Sequence, residues 1–186
     1  MFTKVNSLKI VVIGGGAAGF FAALSAKKSS PDAEVLLLEK SAKLLSKVRI
    51  SGGGRCNVTH ACFDPKELIQ NYPRGSKELL GPLHRFGPKD TIAWFKERGV
   101  KLKAEEDGRM FPITDSSQTI IDCFLNDAKK LSIKIQMQTK LKNIEKTDDG
   151  FLLHTGTDTP ILADRLILAT GSASRGWEFA KSLGHT

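Results

Sequence analysis

Three segments of the chain carry residue types and spacings with chemical meaning. In the first, Gly14-Gly15-Gly16-Ala17-Ala18-Gly19 follows an apolar run and opens a helix pattern. Glycine at 14 permits a tight turn, glycine at 16 lets phosphates approach the backbone, and glycine at 19 lets the helix pack closely on the preceding strand. The N–H groups at the helix start then face an anion. Glu39 stands 20 residues beyond Gly19, at the end of a second apolar run. A carboxylate there can accept hydrogen bonds from both hydroxyls of an adenosine ribose, and its charge repels a 2′-phosphate. Motif and acid together predict a dinucleotide site that disfavours NADP.

The second segment, Ser51-Gly52-Gly53-Gly54-Arg55-Cys56-Asn57, opens no apolar helix and is not a copy of the first. Its glycines permit backbone to lie against a flat ligand, Ser51 and Asn57 offer hydrogen bonds, and Arg55 supplies a cation. The third, Leu166-Ile167-Leu168-Ala169-Thr170-Gly171, is an apolar strand pattern ending in small residues, as close approach to a bound cofactor requires. Cys56, His60 and Cys62 are close in sequence, but their spacing lacks a fourth ligand and matches no common zinc pattern. With no second cysteine at CxxC spacing, Cys56 is expected to be a packed thiol.

The elements that must position these residues follow from periodicity. Residues 8 to 13 predict a buried strand, 17 to 28 a helix, and 35 to 38 a second buried strand, which makes a βαβ unit with parallel strands. Residues 39 to 59 predict a Gly- and Ser-rich loop, with helices over 76 to 85 and 88 to 98. A helix over 116 to 131 has Ile120, Ile121, Phe124, Leu125, Ala128 and Leu131 on one face. Strands are predicted over 133 to 137, 141 to 145, 151 to 154 and 165 to 169, with Asp148-Asp149-Gly150 as a turn. The expected fold is α/β, a parallel sheet with a small antiparallel excursion before Arg165.

Composition agrees with a globular domain. With 186 residues, 40% hydrophobic and 26% charged, a disordered, collagen-like or disulfide-dependent chain is excluded. Three cysteines without a CxxC pair suit reduced thiols in a cytoplasmic protein. Lys4 and Lys9 before an apolar run give the outline of a signal peptide, but Gly14, Gly15, Gly16 and Gly19 interrupt it, and no segment has the length of a bilayer span. Of the net charge of +8, nearly all falls in residues 40 to 109, with 15 basic and 8 acidic side chains. Such a field attracts phosphates, carboxylates or nucleic acid, although scattered surface lysines give the same sum.

With these segments in place, the sequence resembles the BaiN-like NAD(P)/FAD-dependent oxidoreductases, also described as aminoacetone oxidase family FAD-binding enzymes. These are flavoproteins with two dinucleotide-binding domains. The 51 to 57 run is the most specific element; Gly108-Arg109-Met110-Phe111-Pro112, the helix from Ser117, the Ala169-Thr170-Gly171 end and the stretch from Gly176 follow in order. The resemblance implies a Rossmann-like FAD-binding domain of the glutathione-reductase type over residues 1 to 175. Residues 176 to 186 would begin the connection to a substrate domain, so that the chain is C-terminally truncated. It implies that Gly14, Gly16, Ala17, Ala18 and Gly19 hold the FAD pyrophosphate, Glu39 its ribose and Lys40 the adenine side. Lys47, Ser51, Gly52, Gly53, Arg55, Cys56 and Asn57 would lie along the flavin. Leu141 would touch the adenine through its backbone, and Ala169, Thr170 and Gly171 would close over the pyrophosphate.

The chain departs from the family pattern at Leu45-Ser46, at His60, and at Ser172-Ala173-Ser174-Arg175, where the family often has a second glycine and a Tyr-Pro pair. The expected function is an FAD-dependent oxidoreductase acting on a small molecule, with NAD(P)H as candidate electron donor. The alternatives are a catalytically incomplete FAD-binding fragment and a flavin-dependent tRNA-modifying enzyme. Against the last, the basic segment has no interleaved aromatics, and neither a nucleic-acid nor a membrane partner is expected.

Overall fold

The structure is a computed structural model and describes residues 7–185. In chain order the strands are β1 (Lys9–Ile13), β2 (Glu34–Leu38), β3 (Thr59–His60), β4 (Leu102–Ala104), β5 (Arg109–Pro112), β6 (Lys134–Gln136), β7 (Asn143–Lys146), β8 (Phe151–His154), β9 (Ile161–Ala163) and β10 (Arg165–Leu168). The helices are α1 (Ala17–Ser29), α2 (Ser46–Ile50), α3 (Pro65–Leu68), α4 (Ser76–Arg85), α5 (Pro88–Lys96), α6 (Ser117–Lys130) and α7 (Ser174–Ser182). The described residues divide into two compact units, 7–46 with 124–185, and 47–123. No helix among the described residues is long and apolar enough to cross a membrane.

The first unit is built on a four-stranded parallel sheet in the order β10-β1-β2-β6. Strand alternation assigns its two faces. Val11, Ile13, Leu36 and Leu38 share a buried cluster with Leu141, Ile144, Leu153, Ala163 and Phe179, so one face is covered by the antiparallel sheet β7-β8-β9 and by α7. On the opposite face Val12, Val35 and Leu37 are equally buried, and Phe20 of α1 meets Phe124 at 5.9 Å between ring centroids. Burial on both faces explains why β1 and β2 read as continuous apolar runs.

From β1 the chain moves to β2 on one side and later returns to β10 on the other, so the sheet changes winding direction at β1. In such a sheet a ligand binds beyond the carboxyl ends of the strands at that point. The residues there are Gly14, Glu39 and Ala169, immediately after β1, β2 and β10.

The second unit contains the antiparallel sheet β3-β5-β4 and helices α3, α4 and α5. The predicted loop over 39 to 59 holds α2 and a 3-10 turn, Ser51–Gly54. The predicted helix over 88 to 98 ends at Lys96, where Gly99 (φ +78°) closes the turn. The small sheet was not predicted, since strands of two to four residues carry too short an alternation to be read.

Candidate functional site

In the first unit, the glycine turn separates into glycines that the protein itself requires and one that it does not. Gly14 has φ +115°, and a Cβ there would lie 2.4 Å from the Ala169 carbonyl oxygen. A Cβ on Gly19 would lie 1.8 Å from the Gly14 carbonyl oxygen. Gly15 is enclosed by Leu44 and Glu39, at 2.7 and 3.0 Å from an added Cβ. Gly16 differs. Its backbone is extended (φ −91°, ψ −175°), a conformation open to any residue, and a Cβ built on it meets nothing within 4 Å. It is the N-cap of α1, makes no side-chain cap, and the first turn carries no acidic residue. The 13-residue helix therefore offers uncapped N–H donors at its positive end, beside open space at Gly16.

The Glu39 carboxylate is already engaged. One oxygen accepts from the Gly15 N–H at 2.7 Å and the other from the Ser41 N–H at 2.8 Å. Each oxygen retains capacity for a second bond, so two ribose hydroxyls can still be accepted. Burial pushes this carboxyl up, but the Gly15 and Ser41 N–H groups, the Ser41 hydroxyl and the Lys40 charge outweigh it and hold it below the ordinary carboxylate range. A lowered folded-state value contributes stability above the unfolded-state value, and that contribution is lost as pH falls through the folded-state value. Glu39→Gln is therefore expected to lower the urea midpoint most at neutral pH, with the gap to wild type closing on acidification below about pH 4.3. A gap that stays constant from pH 7 to pH 3 would refute the charge-based account.

A partly open cavity of about 120 Å³ adjoins this turn. Ile13, Leu38, Leu141 and Phe179 form apolar walls, and Lys40, Lys140 and Arg175 set three cations against the single acid Glu39. Gly14, Glu39, Lys40, Leu141 and Thr170 of the predicted site line it together. Ala169 borders the glycine turn through its backbone. Its carbonyl abuts Gly14, its N–H donates to Ile13 O at 2.9 Å, and its Cβ would lie 3.7 Å from one on Gly19. Thr170 is backed by Gly176, where a Cβ would lie 1.8 Å from the Thr170 Oγ1, and Gly171 turns the chain at φ +60°. Ala17 and Ala18 are exposed on the first turn of α1. Sequence reasoning missed Gly15, Arg175, Gly176 and Phe179 as parts of this region. Gly176 heads the stretch that carries the family resemblance, but its contact with Thr170 depends on tertiary placement.

The remaining predicted residues lie in the second unit. Gly52, Gly53 and Gly54 have φ of +55°, +68° and +87°, and Cys56 has +64°. An added Cβ on Gly52 would lie 2.6 Å from the Phe111 ring, while one on Gly53 meets nothing within 4 Å. The hydrogen-bond donors expected to face a ligand are used within the unit. Ser51 Oγ donates to Val48 O at 3.0 Å, and the Asn57 amide donates to Thr59 O and Met110 O at 2.9 and 3.3 Å. Arg55 is fixed, but as a paired cation. It bonds Glu105, lies 3.6 Å from Asp115, and has its guanidinium 4.0 Å from the Phe111 ring centroid. Cys56 is buried, and burial pushes its thiol up despite a bond from Ser51, as suits a packed and unreactive group. Lys47 is exposed on α2.

The chain is similar to several known proteins. Over 187 residues the chain is 29% identical to the 3-dehydro-bile acid delta(4,6)-reductase of Clostridium scindens, covering 96% of this chain and 44% of that protein. It is 30% identical over 150 residues to the ribosomal RNA dihydrouridine synthase of Escherichia coli, covering 81% of this chain and 36% of that protein. The chain thus spans less than half the length of these curated relatives. A similar fold occurs in the 3-ketosteroid-delta4-(5alpha)-dehydrogenase of Rhodococcus jostii, with TM-score 0.68 and 17% identity over 96% of this chain and 50% of that one. The HI0933-like protein Rossmann domain matches residues 8–186. With the glycine turn, the acid after β2 and the parallel sheet in their places, the chain belongs to the HI0933-like Rossmann domain family, the BaiN-like FAD-binding proteins that its motifs resemble.

Proposed function

We propose that the first unit holds the ADP half of FAD and that the protein is an FAD-dependent oxidoreductase. One observation carries the reading: Gly16 is a glycine that neither backbone conformation nor packing demands, standing at an uncapped helix start. A pyrophosphate suits that space, with N–H donors from Gly16, Ala17 and Ala18, and with Gly14 and Gly19 shaping the turn. Glu39 accepts from the ribose, Lys40 flanks the adenine, the Leu141 backbone meets the adenine edge, and Ala169, Thr170 and Gly171 border the pyrophosphate. In the second unit Gly53 also leaves open space, although its φ of +68° by itself asks for glycine. Lys47, Ser51, Gly52, Gly53, Arg55, Cys56 and Asn57 are assigned to the flavin end by family resemblance. When bound, the flavin supplies the electron transfer, while the chain's own residues bind, orient and neutralise charge.

The protein purified from cells is expected to carry non-covalent FAD, released by heat and identified by chromatography. Recovery of NAD alone, or of no nucleotide from folded protein, would overturn the assignment. The reductase from Clostridium scindens supports a small-molecule substrate, with NAD(P)H as the proposed donor. A second reading, a uridine in RNA as substrate, is favoured by the ribosomal RNA dihydrouridine synthases of Escherichia coli and Haemophilus influenzae and by the basic segment 40 to 109. Salt-dependent binding to ribosomal RNA, with a steep loss of affinity as salt rises, would select it.

A further inference from the structure

We propose that Arg175 is a positioning residue for the adenine end of the dinucleotide, its guanidinium plane forming one side of the slot. The proposal rests on the FAD reading above. The slot is apolar on the walls contributed by Ile13, Leu38, Leu141 and Phe179. Its volume, about 120 Å³, is well below the roughly 300–1,000 Å³ of sites that take a whole drug-sized ligand, so it suits one ring system. Arg175 lies on its rim with 55% of its side chain exposed.

The arginine is held there by several independent contacts. Nη2 donates to the Lys142 carbonyl at 2.6 Å, across 33 residues of sequence. Nη1 donates to Glu178 Oε2 at 2.8 Å, and the guanidinium carbon stands 4.9 Å from the Phe179 ring centroid. The next residue, Gly176, is pressed against Thr170 so closely that no Cβ fits, which anchors the start of α7. A carboxylate and a carbonyl engage one N–H on each terminal nitrogen, two of the five guanidinium donors, and so hold the group in one plane. A guanidinium held in one plane presents a flat face, and such a face packs well on a nucleobase. Lys40 and Lys140 add two further cations to the lining of the same slot.

This role predicts an order among substitutions. Glutamine keeps a planar group with an N–H donor, set two bonds short of the Nη2 position, but has no charge, whereas lysine keeps charge and loses the plane. Dissociation constants for FAD, from flavin fluorescence, and for ADP-ribose, by competition, are to be measured for wild type, Arg175→Gln, Arg175→Lys and Arg175→Ala. Unfolding midpoints without ligand are recorded for each. The expected result is a weakening of about tenfold for lysine and alanine with both ligands, about threefold or less for glutamine, and midpoints equal among the variants. Lysine binding like wild type while glutamine fails would overturn the proposal in favour of a charge role. Unchanged affinity in all variants, or losses that follow the unfolding midpoints, would also overturn it. Failure of the wild type to bind FAD would instead defeat the underlying FAD reading.

Discussion

Gly16→Val is expected to leave the apoprotein folded and to abolish stoichiometric FAD binding. The backbone at residue 16 is extended, which valine adopts without strain, and the added side chain meets no protein atom at its Cβ. Loss of glycine at an N-cap that makes no side-chain bond costs at most about 1 kcal/mol. The same side chain would, however, occupy the space where a pyrophosphate approaches the start of α1. Two charge-assisted hydrogen bonds are worth about 1.5–3 kcal/mol each, and losing 2.7 kcal/mol already weakens binding about a hundredfold. The checks are flavin content of the purified protein and the urea unfolding curve of the apoprotein. Wild-type flavin content in Gly16→Val would refute the assigned pyrophosphate position.

Gly19→Val is expected to do the reverse damage, acting on the fold before any ligand is present. Its Cβ would stand 1.8 Å from the Gly14 carbonyl oxygen, a backbone atom that no rotamer change can move. Helix α1 would have to withdraw from the turn after β1, disturbing Phe20 and Leu24, which are fully buried. Overpacking of this kind costs about 1–3 kcal/mol, and more where backbone must shift. The few tenths gained by replacing glycine in a helix do not offset it. The apoprotein should unfold at a clearly lower urea concentration than wild type, with Gly19→Ala showing the same sign. A wild-type midpoint for Gly19→Ala would show that α1 and the turn can separate at no cost. These two outcomes would divide the motif into a glycine kept for the proposed ligand and a glycine kept for the fold.

The βαβ start of the chain was legible because its signals are local. Burial on both faces gives β1 and β2 unbroken apolar runs, the helix follows its turn directly, and the distance from Gly19 to Glu39 is set by one helix and one strand. The antiparallel excursion was legible through a turn, Asp148-Asp149-Gly150, and alternating residues around it. In the second unit these signals fail. β3 pairs with β5 across roughly fifty residues, and neither is long enough to show a period, so only folding reveals them.

Residue roles divide along the same line. Backbone needs are written in residue type: the sequence by itself determined that residue 14 can turn, since glycine adopts a positive φ without strain, and that residue 16 has no side chain to fill the space at the helix start. Partners are not written there. That Arg55 is neutralised by Glu105 and Asp115, that the space beside Gly14 is filled by the Ala169 carbonyl, and that Gly176 faces Thr170 were decided by the tertiary structure. The physical reason is that a side chain's charge balance and available volume depend on which distant segments pack against it, and local sequence carries no record of that packing.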